Sequence, residues 1–179
     1  MKLEQANGIC RGLLMGKCAL AHYFKKWLVC GSIRRKCENV NDIDIVAIPK
    51  PESEYGFGDK TLDDAISLLH EGTTDKPLLG EKLKRFFYRG ISIDIYLANA
   101  KTFETLKLIR TGSKEHNIRL TTLARGKGLK LYANGKGLCK IKGGIYNNEP
   151  EEIMGVVEDT EDGILNNLLG RVPTPEQRN

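Results

Sequence analysis

The sequence lacks the features that would place the protein in a membrane or direct it out of the cell. No apolar run approaches the ~18 residues that a membrane-spanning helix needs. The first ten residues, MKLEQANGIC, have an amphipathic pattern and not that of a secretory signal. We therefore expect a soluble protein that is not secreted, has no membrane partner and works in the cytoplasm or at a nucleoid.

The cysteines also lack the spacing of a disulfide framework or a zinc site. There are five of them, an odd number, with no Cys-x-x-Cys pair and no histidine at ligand spacing. Reduced, mostly packed thiols of a cytosolic protein are the expected state. Internal repeats and low-complexity tracts are absent too, so the 179 residues should form one compact domain or two small ones that share an interface.

The periodicity of apolar residues indicates a mixture of helices and strands. From Leu3 to Phe24 the apolar positions return every three to four residues, which predicts one amphipathic helix. Ser32 is expected near the N-cap of a short second helix. The predicted strands cover residues 27–30, 42–48, 85–89 and 91–97, and a hairpin is predicted over 129–141 around Asn134-Gly135. The later helices are predicted over residues 33–37, 61–70, 102–109, 113–125 and 149–157. A change in composition places a domain boundary near residue 100.

A glycine turn and three aspartates form the pattern that indicates chemistry. Gly31-Ser32 follows a predicted buried strand, and Asp42 and Asp44 come ten and twelve residues after the serine on one face of the next strand. Asp94 lies on the polar face of a later alternating strand. Because ionised carboxylates at close range repel, such a cluster needs cations or protons. Oxygen ligands suit Mg²⁺ or Mn²⁺, and a pair of these ions about 4 Å apart catalyses phosphoryl transfer.

Three segments resemble the signature of the nucleotidyltransferase superfamily, and specifically of the family X DNA polymerases, the relatives of polymerase beta. They are Gly31-Ser32-Ile33-Arg34-Arg35, Asp42-Ile43-Asp44-Ile45 and Thr111-Gly112-Ser113-Lys114-Glu115-His116-Asn117. The likeness continues in order through Leu123-Ala124, Lys127-Gly128-Leu129-Lys130-Leu131, Gly137-Leu138 and the proline-rich segment Val172-Pro173-Thr174-Pro175-Glu176-Gln177-Arg178. It therefore covers essentially the whole chain.

The resemblance implies an α+β fold with two parts. A nucleotidyltransferase palm, made of a mixed β-sheet with helices, would span residues 1–100, and a small α/β thumb that binds DNA and nucleotide would span residues 101–179. Only about 25 residues precede the first predicted strand, which is too few for the family's N-terminal lyase domain. The implied architecture is thus palm and thumb alone, as in certain viral members.

The resemblance also implies which residues bind the nucleotide. Ser32 and Arg35 match residues that contact its outer phosphates, and Gly31 permits a close approach. Gly112 matches the turn beside the sugar, and Asn117 matches a thumb-helix side chain that contacts the incoming nucleotide.

The three aspartates match the family's catalytic carboxylates, which hold two Mg²⁺ or Mn²⁺ ions. Asp42, Asp44 and Asp94 are therefore the expected metal ligands, and Asp94 is the expected acceptor of the primer 3′-hydroxyl proton. At Ile109 and Arg110 the sequence departs from the two aromatic residues that help the family to exclude a ribose 2′-hydroxyl. The preference between dNTP and rNTP is therefore open.

The net charge of +5 is unevenly distributed. Residues 101–142 carry eleven Lys and Arg against two acids, whereas residues 143–179 carry eight acids against two Arg. A cluster of one sign beside a phosphoryl-transfer site is typical of a surface that binds a phosphate backbone. The residues expected to contact DNA are Lys114, Arg119, Arg125, Lys127 and Lys130.

These observations favour a DNA-directed DNA polymerase of family X type. It would use nucleoside triphosphates to extend a primer 3′-hydroxyl on primer-template or gapped DNA, filling short gaps in DNA repair, and would act as a monomer. Two alternatives stay open. One is a template-independent nucleotidyltransferase that modifies a nucleic-acid end, a protein or a small molecule. The other is a DNA-binding module with an inactive site, although the presence of all three aspartates argues against it.

Overall fold

A computed structural model of the chain describes residues 1–16, 19–55, 60–72, 76–144 and 149–179. The helices are α1 (Leu3–Met15), α2 (Gly31–Arg34), α3 (Leu62–Leu69), α4 (Phe103–Thr111), α5 (Lys114–Gly126) and α6 (Glu161–Leu169). The strands are β1 (Phe24–Val29), β2 (Asp42–Pro49), β3 (Leu78–Leu79), β4 (Leu83–Tyr88), β5 (Ile91–Leu97), β6 (Leu129–Tyr132), β7 (Gly137–Gly144) and β8 (Glu149–Glu158). Single-turn 3-10 helices cover Leu20–Tyr23, Glu52–Glu54 and Pro175–Arg178.

The first sheet is mixed and has the strand order β1-β2-β5-β4-β3. Its central pair, β2 and β5, runs parallel, and its other neighbouring strands pair antiparallel. Because side chains alternate along a strand, Ile43, Ile45, Ile93 and Ile95 all point to one face, where each is fully buried. Helices α1 and α3 cover this face and complete its core.

The opposite face of the first sheet is covered only in part. Val46 of β2 packs there against Phe103 and Leu106 of α4, together with Cys30 and Ala98. The start of β2 and the middle of β5 carry the aspartates on this same face. The first sheet therefore presents carboxylates directly beside α4 and the segment that follows it.

The second sheet is an antiparallel meander, β6-β7-β8. The predicted hairpin is confirmed, since Leu131 pairs with Leu138 across the Asn134-Gly135 turn. Leu120 and Ala124 of α5 and three apolar residues of α6 pack with this sheet and with Leu108 of α4 to form a second core. Since α4 contributes to the cores on both sides, the division near residue 100 stays a prediction.

Residues 149–157 were expected to form a helix, and that prediction is wrong. They lie in β8, where Ile153 pairs with Ile141 and Val156 pairs with Cys139. The glutamates favour a helix, but Gly155 and the β-branched residues weaken it, and pairing with β7 supplies the backbone hydrogen bonds instead. The helix that follows, α6, was missed although Thr160 caps it and Gly170 ends it at φ +69°.

Two other boundaries differ from the prediction. The opening helix ends at Met15 instead of Phe24, because Gly16 stops it and Phe24 begins β1. Helix α2 begins at Gly31 with Cys30 at the N-cap position, so Ser32 lies inside the first turn. Ser32 therefore does not cap the helix, and its hydroxyl is available for another contact.

Candidate active site

The backbone around Gly31 explains why a glycine occupies this position. Its φ is +56°, a region that favours glycine, and a Cβ added here would lie 2.2 Å from Oδ2 of Asp44. The Cys30 amide donates to the Asp44 carbonyl at 2.7 Å, which holds the turn against β2. The glycine turn and the Asp44 carboxylate are thus in direct van der Waals contact.

The parallel pairing of β2 and β5 gathers the aspartates on one face. Asp44 stands opposite Asp94, and Asp42 stands opposite Ser92. Burial, together with the charges of Asp42 and Asp94, raises the pKa of Asp44 to about 7, although Arg110 and Arg35 act in the opposite direction. The cluster therefore favours an added positive charge, in agreement with a cation or proton bound beside Asp44.

Asp94 already has strong partners. Nε and Nη2 of Arg85 donate to its two carboxylate oxygens at 2.6 Å each, and the Tyr96 hydroxyl donates to Oδ2 at 3.1 Å. Arg85 stands directly opposite Asp94 in the antiparallel β4–β5 pair. The Asp94 side chain is only 4% exposed, whereas that of Arg85 is 55% exposed. Arg85 was absent from the predicted site because β4 reaches Asp94 only through the strand pairing.

The donor set fits a divalent cation only in part. Asp42 and Asp44 supply the carboxylate oxygens that Mg²⁺ and Mn²⁺ prefer. Across the described parts of the chain, however, no three His, Cys, Asp or Glu side chains are arranged as a metal site. The third carboxylate of the cluster, Asp94, is paired with Arg85.

A cleft of about 680 Å³ opens beside Asp42 and Asp44. The predicted site residues that line it are Gly31, Ser32, Arg35, Asp42, Asp44, Gly112, Lys114 and Asn117. The residues that line it outside the predicted set include Arg110, Ser113 and Ile118. Asp94 is not part of this lining, since it is turned towards Arg85.

Three polar atoms in the cleft lack a hydrogen-bond partner among the described residues. They are Oγ of Ser32, Nε of Arg110 and Oδ1 of Asn117, and all three are buried. A buried polar atom without a partner costs ~1–3 kcal/mol, so a cluster of three points to a ligand that would satisfy them. Arg110 also lies 3.9 Å from the centroid of the Tyr96 ring, which holds its guanidinium next to the carboxylates.

The remaining nucleotide-site predictions lie along the same cleft. Arg35 donates to the Thr111 carbonyl, and its Nε donates to Oδ1 of Asn179 at 2.9 Å. Gly112 has φ +66°, and an added Cβ would lie 3.2 Å from Nη1 of Arg35. Asn117 donates from Nδ2 to the Ile109 carbonyl at 2.8 Å, which aims its free oxygen away from that bond. The cleft wall is therefore held by contacts between α2, α4, α5 and the last residues.

A buried glutamate joins the elements behind the cleft. The carboxylate of Glu161, at the start of α6, accepts hydrogen bonds from Nη1 and Nη2 of Arg34 at 2.7 and 2.8 Å and from Nη1 of Arg178 at 2.6 Å. It also forms an ion pair with Nζ of Lys107 at 3.0 Å. Burial raises the pKa of Glu161, but the hydrogen bonds from the three cations outweigh it and lower the pKa to about 2. Sequence reasoning missed this network, since its members are up to 127 residues apart.

The five predicted DNA contacts differ in how free their charges are. Lys114, Arg119 and Arg125 are exposed on α5, and no carboxylate of the described residues forms an ion pair with them. Lys130 instead pairs with Glu151 at 2.5 Å, and Lys127 donates to the Asn167 carbonyl. The exposed side of α5 is therefore the most strongly positive part of this set. The role of these residues stays a prediction.

Comparison with known proteins identifies the fold. The sequence matches no protein-family model and no curated protein. The structure, however, is similar to a crystal structure of Leishmania infantum polymerase beta, described as a ternary P/T complex, with a TM-score of 0.67 and 21% sequence identity. The similarity covers 100% of this chain and 76% of that one. The chain thus has the α+β fold of a polymerase beta-like nucleotidyltransferase, which confirms the predicted fold class. No helix in the described ranges is long and apolar enough to span a bilayer.

Proposed function

We propose that this protein is a nucleotidyltransferase that extends a primer 3′-hydroxyl with nucleoside triphosphates on primer-template or gapped DNA. The observation that carries the proposal is the cleft, where the paired aspartates of β2 meet three buried polar atoms that have no partner in the described parts of the chain. This arrangement suits a ligand that brings both cations and oxygen-rich groups, as a nucleoside triphosphate with divalent ions does. The polymerase beta-like fold supports it. Short-gap filling in DNA repair is the role we assign to this activity.

The proposal gives each side chain of the cleft a role. The Ser32 hydroxyl and the Arg35 guanidinium would bind the outer phosphates, for which Gly31 leaves room, and Asn117 would contact the nucleotide beside Gly112. Arg35 would bind a phosphate through the guanidinium N–H groups that do not already donate to Asn179 and to the Thr111 carbonyl.

The carboxylates would bind the ions and the reacting hydroxyl. Asp42 and Asp44 would hold Mg²⁺ or Mn²⁺, and Asp94 would complete the set and accept the proton of the primer hydroxyl. When two ions are bound, they neutralise the charge that develops on the transferred phosphoryl group. The protein's own contribution is to keep Asp44 buried against the Gly31 turn, which fixes the direction of its oxygens.

Primer extension on DNA with a one-nucleotide gap tests the activity. Wild type should add one nucleotide with Mg²⁺ or Mn²⁺, and the double variant Asp42→Ala/Asp44→Ala should add none. Asp162→Ala is a suitable control, because it removes an exposed carboxylate that does not line the cleft. No extension by wild type, or equal extension by the double variant, would show that the proposal is wrong. Accumulation of label without a complementary template would favour the template-independent alternative.

The same assay addresses the choice of sugar. The cleft has Ile109 and Arg110 where the resemblance led us to expect aromatic residues, and neither supplies a flat ring against the nucleotide sugar. Each of the four dNTPs and four rNTPs should therefore be offered opposite each template base.

We also propose that the protein acts as a monomer. Sedimentation with and without gapped DNA checks this oligomeric state.

A further inference from the structure

The ion pair between Arg85 and Asp94 affects how many cations the carboxylates can hold. A carboxylate has about four lone-pair sites, and three of those on Asp94 accept hydrogen bonds from Arg85 and Tyr96. A divalent ion on Asp94 would also lie beside the Arg85 guanidinium, so two positive groups would repel each other at close range. Asp94 therefore has one lone-pair site left, on Oδ1, and a cation there would have to compete with the charge of Arg85.

The surroundings of Arg85 make its release feasible. A bidentate pair with a carboxylate that is 4% exposed is strong, so Asp94 stays paired while nothing competes for it. Arg85 itself is more than half exposed, and its guanidinium can move into solvent without being buried in an apolar site. Asp94 is held in the sheet by its register with Asp44 and has no comparable freedom. Any exchange must therefore occur by movement of Arg85.

We propose that Arg85 is a positioning residue that sets the ion capacity of the carboxylate cluster. In the free protein it keeps Asp94 in an ion pair, so only Asp42 and Asp44 are open to a divalent cation. A second ion binds after Arg85 releases Asp94. The inference rests on the proposed function only in taking these carboxylates as the ligands of its ions.

A Mn²⁺ titration without nucleotide or DNA tests the proposal directly, by calorimetry and by the electron paramagnetic resonance signal of free Mn²⁺. Wild type should bind one ion per chain near saturation, and Arg85→Met should bind a second. We expect the second ion to bind at least about tenfold tighter than any second ion in wild type, which corresponds to about 1.4 kcal/mol. Arg85→Lys keeps the charge but loses the bidentate geometry and should give an intermediate affinity.

Arg89→Met is the matched control, because it removes the same charge from the same hairpin, and Arg89 does not touch Asp94. Its titration should match that of wild type. The proposal is wrong if Arg85→Met binds the same number of ions with the same affinity as wild type, or if Arg89→Met gains the second ion too. If Arg85→Met fails to fold, Arg85→Lys takes its place. A Mn²⁺ titration of Arg85→Lys that matches that of wild type would also overturn the proposal.

The outcome is separate from that of the proposed function. If wild type extends primers and Arg85→Met gains no ion, only the inference about Arg85 fails. If wild type binds no Mn²⁺ and extends no primer, the proposed function fails. The Asp94→Asn change in the Arg85→Met background adds a further check, since it should return the ion count to one.

Discussion

Replacing Glu161 with glutamine should destabilise the protein, because this carboxylate neutralises three cations behind the cleft. Its side chain is 3% exposed, and that of its partner Arg178 is 2% exposed. The pKa of Glu161 is about 2, against 4.5 for an ordinary glutamate. At ~1.4 kcal/mol per unit, this difference corresponds to about 3 kcal/mol of stability at neutral pH. Glu161→Gln loses that contribution and removes the carboxylate that Arg34 and Arg178 share, while Lys107 keeps its ion pair with Glu104.

The pH dependence of the loss identifies its cause. Since the folded protein lowers the pKa of Glu161, the stabilisation is complete above about pH 4.5 and disappears as the pH falls towards 2. Wild type should therefore lose about 3 kcal/mol from this group over that window, and Glu161→Gln should lose correspondingly less. The variant and wild type should approach each other in stability at the acid end.

Urea unfolding followed by the fluorescence of Trp27, the one tryptophan, measures both effects. Asp162→Asn is the control, because this neighbouring carboxylate is exposed and its loss should cost less than about 1 kcal/mol. A Glu161→Gln protein within 1 kcal/mol of wild type at pH 7 would refute the reasoning. The reasoning would also be refuted if Glu161→Gln lost as much stability as wild type between pH 4.5 and 2.

Two further predictions concern the cleft and the basic helix. Gly31→Ala should reduce primer extension by ~100-fold, because the new Cβ would lie 2.2 Å from the Asp44 carboxylate and displace it. Gly90→Ala is the control: its backbone is also left-handed, but the space around the new Cβ is open, so the rate should stay unchanged. Equal rates for the two variants would contradict this. In a salt titration of DNA binding, Arg125→Gln should reduce the slope of the logarithm of the binding constant against the logarithm of the salt concentration by ~0.9. Lys130→Gln should change this slope by less than half as much, because Glu151 already neutralises Lys130. The reverse order would assign the DNA surface to the second sheet.

Much of the fold could be predicted from local pattern. The alternation of Asp42, Ile43, Asp44 and Ile45 predicts a half-buried strand with both carboxylates on one face, and the structure has it. A helix over residues 113–125 was also predicted, and α5 occupies Lys114–Gly126, with Ser113 at its N-cap accepting from the His116 amide. These features depend on residues within a few positions of one another, so the sequence carries them directly.

The segment 149–158 shows where local pattern fails. Its glutamates favour a helix and its β-branched residues favour a strand, so intrinsic preference is nearly balanced. Pairing with β7 decides the outcome, and that pairing is a long-range contact that the composition of the segment does not reveal. Helix α6 is a different case, because its signals are local: Thr160 caps its start and Gly170 ends it.

The sequence by itself determined which residues could form the site: a glycine turn, three aspartates, and a basic segment with few acids. Tertiary structure decided how they meet. The parallel register of β2 and β5 sets Asp44 against Asp94, and the antiparallel register of β4 places Arg85 on the same carboxylate. Glu161 gathers its three cations from distant parts of the chain. The physical reason is that strand register and buried charge pairing are properties of the packed molecule, since each needs partners that only folding brings within a few ångströms.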